Sequence, residues 1–415
     1  MTPPTRSERT RRRERVRPPS LGPVLAGSEV VLVCGPGGVG KTSMAAAAGV
    51  AAVRAEASRV LVLTVDPARR LADALGLDGI GDRATPIDPS LLAVAGVDVR
   101  GQLHVAMLDT QASWDALVRQ HAPDAATRDR ILGNPLYRTI TSRFVHSHDY
   151  VAMERLHELH TSGEWDLVIV DTPPSRHAID LLDAPGRMVE FFGGRMVRLL
   201  TAPYRAGRGR GARFVDLAAR PFYQVADRLL GSQFLEDIAE LFVALSSLSE
   251  GFVERAADVE RLLADPRTTF VVVGVPEEEP LREVAGLLAE LDRRALSCGA
   301  VVLNRVMPAW AHDPAARRAA AQLVADPAPA GRAVAAALDD PAVDDVAAAR
   351  VLGAAAEAFR DLEAVASREA TLVAGALGGA GAQGVPVVRV PHLAGDIHDL
   401  VGLAEAAGHL VGREA

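Results

Sequence analysis

Short apolar runs separated by longer stretches of helical spacing dominate the chain. Runs rich in Val and Leu occur at 29–34, 59–65, 102–107, 167–170, 269–275, 300–303 and 387–390. A run without polar alternation suits a strand covered on both faces, the condition of a parallel sheet with crossover helices. The pattern predicts an α/β fold with a mostly parallel, doubly wound sheet flanked by helices. The spacing of the runs is uneven. Residues from about 112–163 and 176–266 hold helical periodicity alone and are predicted to be insertions that form a helical subdomain beside the sheet. Ala-rich material over 314–377 supplies further helix, punctuated by Asp326-Pro327 and Asp340-Pro341, because proline disfavours helical geometry at the residue before it. The stretch 370–388 carries no charge, but its glycines and Pro386 predict a loop rather than a membrane span.

Composition narrows this picture. The 415 residues are 49% hydrophobic and only 4% aromatic, so the interior must be built from Ala, Val and Leu, and a disordered chain is excluded. Residues 1–20 carry seven arginines against two glutamates, a balance of +5 in a chain whose net charge is −8. Without an apolar stretch this segment is no signal peptide. It reads as a disordered, solvated Arg-rich tail ahead of one large domain over 21–415. Two cysteines, Cys34 and Cys298, make neither a disulfide framework nor a multi-thiolate site, which fits a cytoplasmic protein. Nucleic acid is not an expected partner. Among the 45 basic residues there is one lysine, Lys41.

That lysine completes Gly35-Pro36-Gly37-Gly38-Val39-Gly40-Lys41-Thr42, which satisfies the P-loop pattern. An apolar run precedes it and an Ala-rich helical segment beginning at Ser43 follows. Glycines let backbone N–H groups turn toward phosphate, and the helix N-terminus adds partial positive charge. Lys41 would reach the β- and γ-phosphates, and Thr42 would place its hydroxyl on Mg²⁺. Two carboxylates follow apolar runs: Asp66, opening Asp66-Pro67-Ala68-Arg69-Arg70, and Asp171, opening Asp171-Thr172-Pro173-Pro174-Ser175-Arg176-His177. Ligands of open α/β sheets bind beyond the carboxyl ends of strands, so both face the same crevice. Asp171 suits the Walker B position that holds the Mg²⁺ shell, and Asp66 is then available to orient water. Helix capping is the alternative for each.

Together these three segments, with Leu71-Ala72-Asp73-Ala74-Leu75 following Asp66, resemble the anion-transporting ATPase family. Its members include the arsenite-pump ATPase and the ATPase that targets tail-anchored membrane proteins. The resemblance runs from about Glu29 to Leu410. It implies an MgATP-hydrolysing enzyme that couples nucleotide state to movement of its switches and helical subdomain, possible roles being membrane-protein targeting or transport. It also implies a homodimer, or a heterodimer with a related ATPase, and a membrane-associated or hydrophobic client. Residue by residue, Asp66 is similar to the water-activating acid, Asp171 to the Walker B acid and His177 to a second-switch residue. Asn304 is similar to the asparagine that bonds adenine, and Pro391 begins a segment similar to the loop over the base. Gly35, Gly37, Gly38, Val39, Gly40, Lys41, Thr42 and Ser43 complete the expected nucleotide contacts. The alternative for Asn304 is a turn residue at a strand end. Guanine-selective loops carry an acid after the asparagine, and Asn304-Arg305-Val306-Met307 has none, which favours adenine.

The departures shape expectations too. The family loop carries a second lysine where this chain has Pro36. Arg69, Arg70 or Arg176 could replace it, or the chain could serve as the low-turnover partner of a lysine-bearing paralogue. The zinc-binding Cys-x-x-Cys of the targeting branch is absent. Met188, Val189, Phe191, Phe192, Met196, Val197, Leu199 and Leu200 gather large apolar side chains that suit either subdomain packing or an apolar client helix. The Gly-Arg segment Tyr204 to Arg213 reads as a loop. His157 and His160 share helical spacing, and satisfied side chains are expected there rather than a metal site.

Overall fold

The computed structural model describes residues 19–412, apart from 57, 66–69, 78, 144–146, 247–248, 339–342, 380–382, 394, 396, 398 and a long internal segment, 174–231, in which only 183, 186 and 187 are described. Asp66, Arg69, Arg176, His177, the Met188–Leu200 cluster, the Tyr204–Arg213 segment and most of the Arg-rich tail lie outside the described residues.

Eight strands form one sheet in the order β3-β4-β2-β5-β1-β6-β7-β8. They are β1 (Val30–Cys34), β2 (Arg59–Thr64), β3 (Thr85–Pro86), β4 (Gln102–Met107), β5 (Leu167–Asp171), β6 (Thr268–Gly274), β7 (Cys298–Val306) and β8 (Val387–Pro391). Every pairing is parallel except β3 with β4. From β1 the chain moves outward to β2 on one side and later to β6 on the other, so the crossover direction reverses beside β1. That reversal opens the crevice in which doubly wound sheets bind ligands.

The two faces differ in material. Val31 and Val33 face an Ala-rich layer that includes the helix Lys41–Ala55 and the C-terminal helix Leu400–Leu410. Val30 and Leu32 face Trp114, Tyr137, Tyr150 and the leucines of the helix Glu278–Arg293. This is the period-two alternation of a strand buried on both sides. Between β4 and β5 run the helices Thr110–His121, Ala125–Gly133, Tyr137–Arg143 and Ser147–Thr161, and Ser232–Ser246 and Ser249–Ala264 precede β6. With two asparagines in the chain, aspartate supplies the N-caps. Asp88, Asp109, Asp124, Asp313, Asp344 and Asp399 each accept a backbone N–H at a helix start. Those bonds hold the Asp88 and Asp124 carboxyls below the usual carboxylate range.

Four sequence expectations change. Asn304, expected at the end of a strand over 300–303, lies inside β7, because a bulge lets the chain resume pairing at Val306 opposite Pro391. Asp171 and Pro391, expected just beyond their strands, are the last residues of β5 and β8. The antiparallel β3 is two residues long and contains a proline, which leaves no apolar run to read. The stretch 370–388 begins as helix rather than loop, since the helix Asp345–Leu377 continues through residue 377. Among the described residues, no helix is long and apolar enough to cross a membrane.

Candidate functional site

The chain leaves β1 at Cys34 and enters a loop whose shape only glycine permits. At Gly35 φ is 150°, and a Cβ there would stand 2.1 Å from the Val273 carbonyl oxygen of β6. Gly40, at φ 90°, caps the helix Lys41–Ala55 in the left-handed region, and a Cβ on it would meet the Asn304 amide at 2.6 Å. Gly37 and Gly38 are exposed at the crest, whereas Val39 is buried. The loop thus presents backbone at a helix N-terminus, the arrangement that binds phosphate.

Lys41 is buried, and its Nζ donates to the Pro36 carbonyl oxygen at 2.8 Å. Pro36 is itself buried. The Thr42 hydroxyl donates to Asp171 Oδ2 at 2.7 Å, and Thr64 Oγ1 donates to the same oxygen at 3.0 Å. Asp171 is 1% exposed at the tip of β5, directly across from Thr64 in register. Thr172 Oγ1 donates to the Val33 carbonyl at 2.9 Å and ties β5 to β1 at the same level. Strand ends and P-loop helix therefore converge on one carboxylate. Thr64 was not foreseen as a site residue. Its signal was being the one hydroxyl side chain within the apolar run over 59–65.

The carboxylate and hydroxyl of Asp171 and Thr42 are hard oxygen donors, a set suited to Mg²⁺, which takes few protein ligands beside phosphate and water. Bound there, the ion would neutralise phosphate charge. Beneath the loop, burial pushes the Cys34 thiol up to about 11, with Thr172 and Lys41 acting the other way. A thiol in that state is an inert core residue rather than a nucleophile or metal ligand.

A second group lies at the other end of the same loop. Asn304 is buried; its Nδ2 donates to the Val39 carbonyl oxygen at 2.9 Å, and its Oδ1 accepts the Arg305 N–H at 2.9 Å. One amide hydrogen and one oxygen lone pair remain on Asn304, the donor and acceptor a purine edge requires. A cavity of about 330 Å³ adjoins it, lined by Gly40, Ser43, Asn304, Arg305, Pro391 and the residues that follow β8. The structure thus brings the P-loop, Asp171, Asn304 and Pro391 together, and Asp66 lies outside the described residues.

A Gly-rich loop at the sheet's reversal, a hydroxyl on a strand-end carboxylate and an asparagine at the far rim are now in place, and the sequence profile of anion-transporting ATPases matches residues 28–325. The chain belongs to the anion-transporting ATPase family. Its enzyme class is accordingly that of an ATPase. An uncharacterized protein of Streptomyces coelicolor is 28% identical over 294 residues, 69% of this chain and 66% of that protein. The ATPase ARSA2 of Chlamydomonas reinhardtii is 25% identical over 308 residues, covering 70% and 71% of the two chains. The ATPase GET3 of Malassezia globosa is 23% identical over 296 residues, covering 70% and 77%. The match with the Streptomyces protein spans about two thirds of that relative's length.

Asn134 sits in a turn, accepting the Leu136 N–H and donating to the Asp237 carbonyl at 2.9 Å. His160 Nε2 pairs with Glu29 at 2.9 Å. Among the described residues, no group of three His, Cys, Asp or Glu side chains is placed to hold a metal ion.

Proposed function

We propose that this chain binds MgATP and hydrolyses it by positioning and electrostatics. The observation that carries the reading is the 2.7 Å bond from Thr42 to Asp171, which joins the P-loop helix to the tip of β5 where a nucleotide-bound Mg²⁺ would sit. P-loop amides and Lys41 hold the phosphates, Thr42 and Asp171 hold the metal, and Asp66 orients the attacking water. Asn304 and Pro391 take the adenine, while Gly35, Gly37, Gly38, Val39, Gly40 and Ser43 complete the cradle. Phosphate release from the purified protein, measured against Lys41→Ala, tests this reading; turnover no higher than that variant's would sink it. Asp66→Asn keeps nucleotide binding and loses turnover, and equal loss of both would reassign that acid to structure. EDTA abolishes turnover if the metal assignment is right.

The same reading has the protein acting as a dimer in the cytoplasm, with hydrolysis coupled to movement of the switches and helical insertions around a hydrophobic or membrane-associated client. Crosslinking that recovers no apolar-helix client in either nucleotide state would remove the client. A second reading makes the chain the low-turnover half of a heterodimer. Its support is Pro36, buried where relatives place a lysine and accepting Lys41 on its own carbonyl. Turnover measured alone and with a lysine-bearing paralogue separates the two readings.

A further inference from the structure

Arg305 is the residue of this site for which neither fold nor motif accounts. Its φ is 56°, and only Ala295 joins it among the described non-glycine residues with positive φ. Residues carrying a Cβ enter that left-handed region reluctantly. Here the surroundings impose it. Asn304 Oδ1 accepts the Arg305 N–H, the Glu369 carboxylate accepts the Met307 N–H at 2.9 Å, and the Val306 carbonyl accepts the His392 N–H at 2.9 Å. β7 therefore bulges between Leu303 and Val306. Asn304 turns inward to the P-loop and Arg305 is left exposed on the cavity wall.

Held strain at a cavity is a sign of use. The charge points the same way. Arg305 makes no ion pair among the described residues, and none of the described residues lining the cavity is Asp or Glu. An arginine that no described side chain pairs with is suited to a phosphate. Which phosphate follows from the lining. Gly40 and Ser43, at the start of the P-loop helix, share the cavity with Asn304 and Pro391, whereas Lys41, Thr42 and Asp171 do not line it.

We propose that Arg305 is a nucleotide-binding residue whose guanidinium grips the phosphate nearest the sugar. The assignment rests on the ATP-binding reading above and adds to it an anion contact at the base end of the site. Calorimetric titration with ADP and with a non-hydrolysable ATP analogue, together with adenosine competition against a fluorescent ADP, tests it on the full chain. Arg305→Ala weakens ADP and the ATP analogue by the same factor, about tenfold, and leaves adenosine competition unchanged. Arg305→Lys recovers part of the loss. Arg305→Gly is the decisive variant, because glycine accepts a φ of 56° without strain. Its melting temperature stays at or above that of the wild type while nucleotide affinity falls as in the alanine variant. Wild-type affinity in Arg305→Gly overturns the proposal, as does a loss confined to the ATP analogue or an equal loss for adenosine, which would move the contact to the terminal phosphate or the base. If the wild type binds no adenine nucleotide, the ATP-binding reading falls with it; if it binds and Arg305 variants bind equally, only the Arg305 assignment falls.

Discussion

The two ends of the proposed nucleotide site are built on opposite plans. At the phosphate end, one continuous segment does nearly everything: loop, helix start, Lys41 and Thr42 follow each other in the chain, and Asp171 arrives on the strand paired with β1. At the base end, three segments distant in sequence meet: the Asn304–Arg305 bulge, the residues after β8 and the first turn of the P-loop helix. At the phosphate end the groups are largely buried and bonded to one another, with Lys41 on Pro36 and Thr42 and Thr64 on Asp171. The base end is an open cavity with an exposed cation. The first plan fits catalysis, which needs groups already in place. The second fits a recognition surface that a ligand completes.

The largest effect expected from this contrast is at the phosphate end. Asp171→Asn and Lys41→Ala each lower turnover by about a thousandfold or more, read as phosphate release. Turnover within tenfold of wild type in Asp171→Asn would take the acid out of the metal shell. Next comes the loop itself. Gly35→Ala pushes a Cβ against the Val273 carbonyl, 2.1 Å away. It should cost about 3 kcal/mol of stability, visible in denaturant unfolding; a midpoint unchanged from wild type would show that the loop does not need this close approach.

At the base end the expected loss is smaller and falls on binding. Asn304→Ala removes the bond to the Val39 carbonyl together with the proposed purine contact, and about 2 kcal/mol of nucleotide affinity goes with it, roughly thirtyfold in Kd. A greater effect on turnover at saturating ATP than on affinity would show that Asn304 serves the phosphate end instead. The smallest effect concerns the two thiols. Burial raises Cys34 to about 11 and Cys298 to about 12, so at pH 8 neither is appreciably thiolate. Iodoacetamide should modify neither in the folded protein, and both in denaturant, as mass spectrometry will read. Rapid native modification of Cys34 alone would show that the P-loop opens.

Legibility followed the same division. The phosphate end could be read from the chain because its residues are contiguous and glycine, lysine and threonine at those intervals have few other uses. Strands β1, β2, β4 and β6 were legible within a residue at each end; burial on both faces leaves an unbroken apolar run in β1, and β2, β4 and β6 keep a largely apolar one. β7 was truncated in the reading because Asn304 and Arg305 look like a stop, and only the pairing of Val306 with Pro391 shows the strand resuming. β3 left no trace, being too short to carry a pattern. Thr64 was invisible as a site residue because its role depends on lying opposite Asp171, a fact of register between strands 107 residues apart in the chain.

The sequence by itself determined the α/β class, the Gly-rich loop ahead of its helix and the acid at the tip of β5, because these are written in local order: period, motif and the residue that ends a buried run. The tertiary structure decided where Asn304 points, that Pro36 is buried rather than offered outward, and that Arg305 is held in a left-handed bulge at the cavity. Those depend on which strands lie side by side and at what register. That information arises from packing between segments far apart in the chain, and no local pattern of residues encodes it.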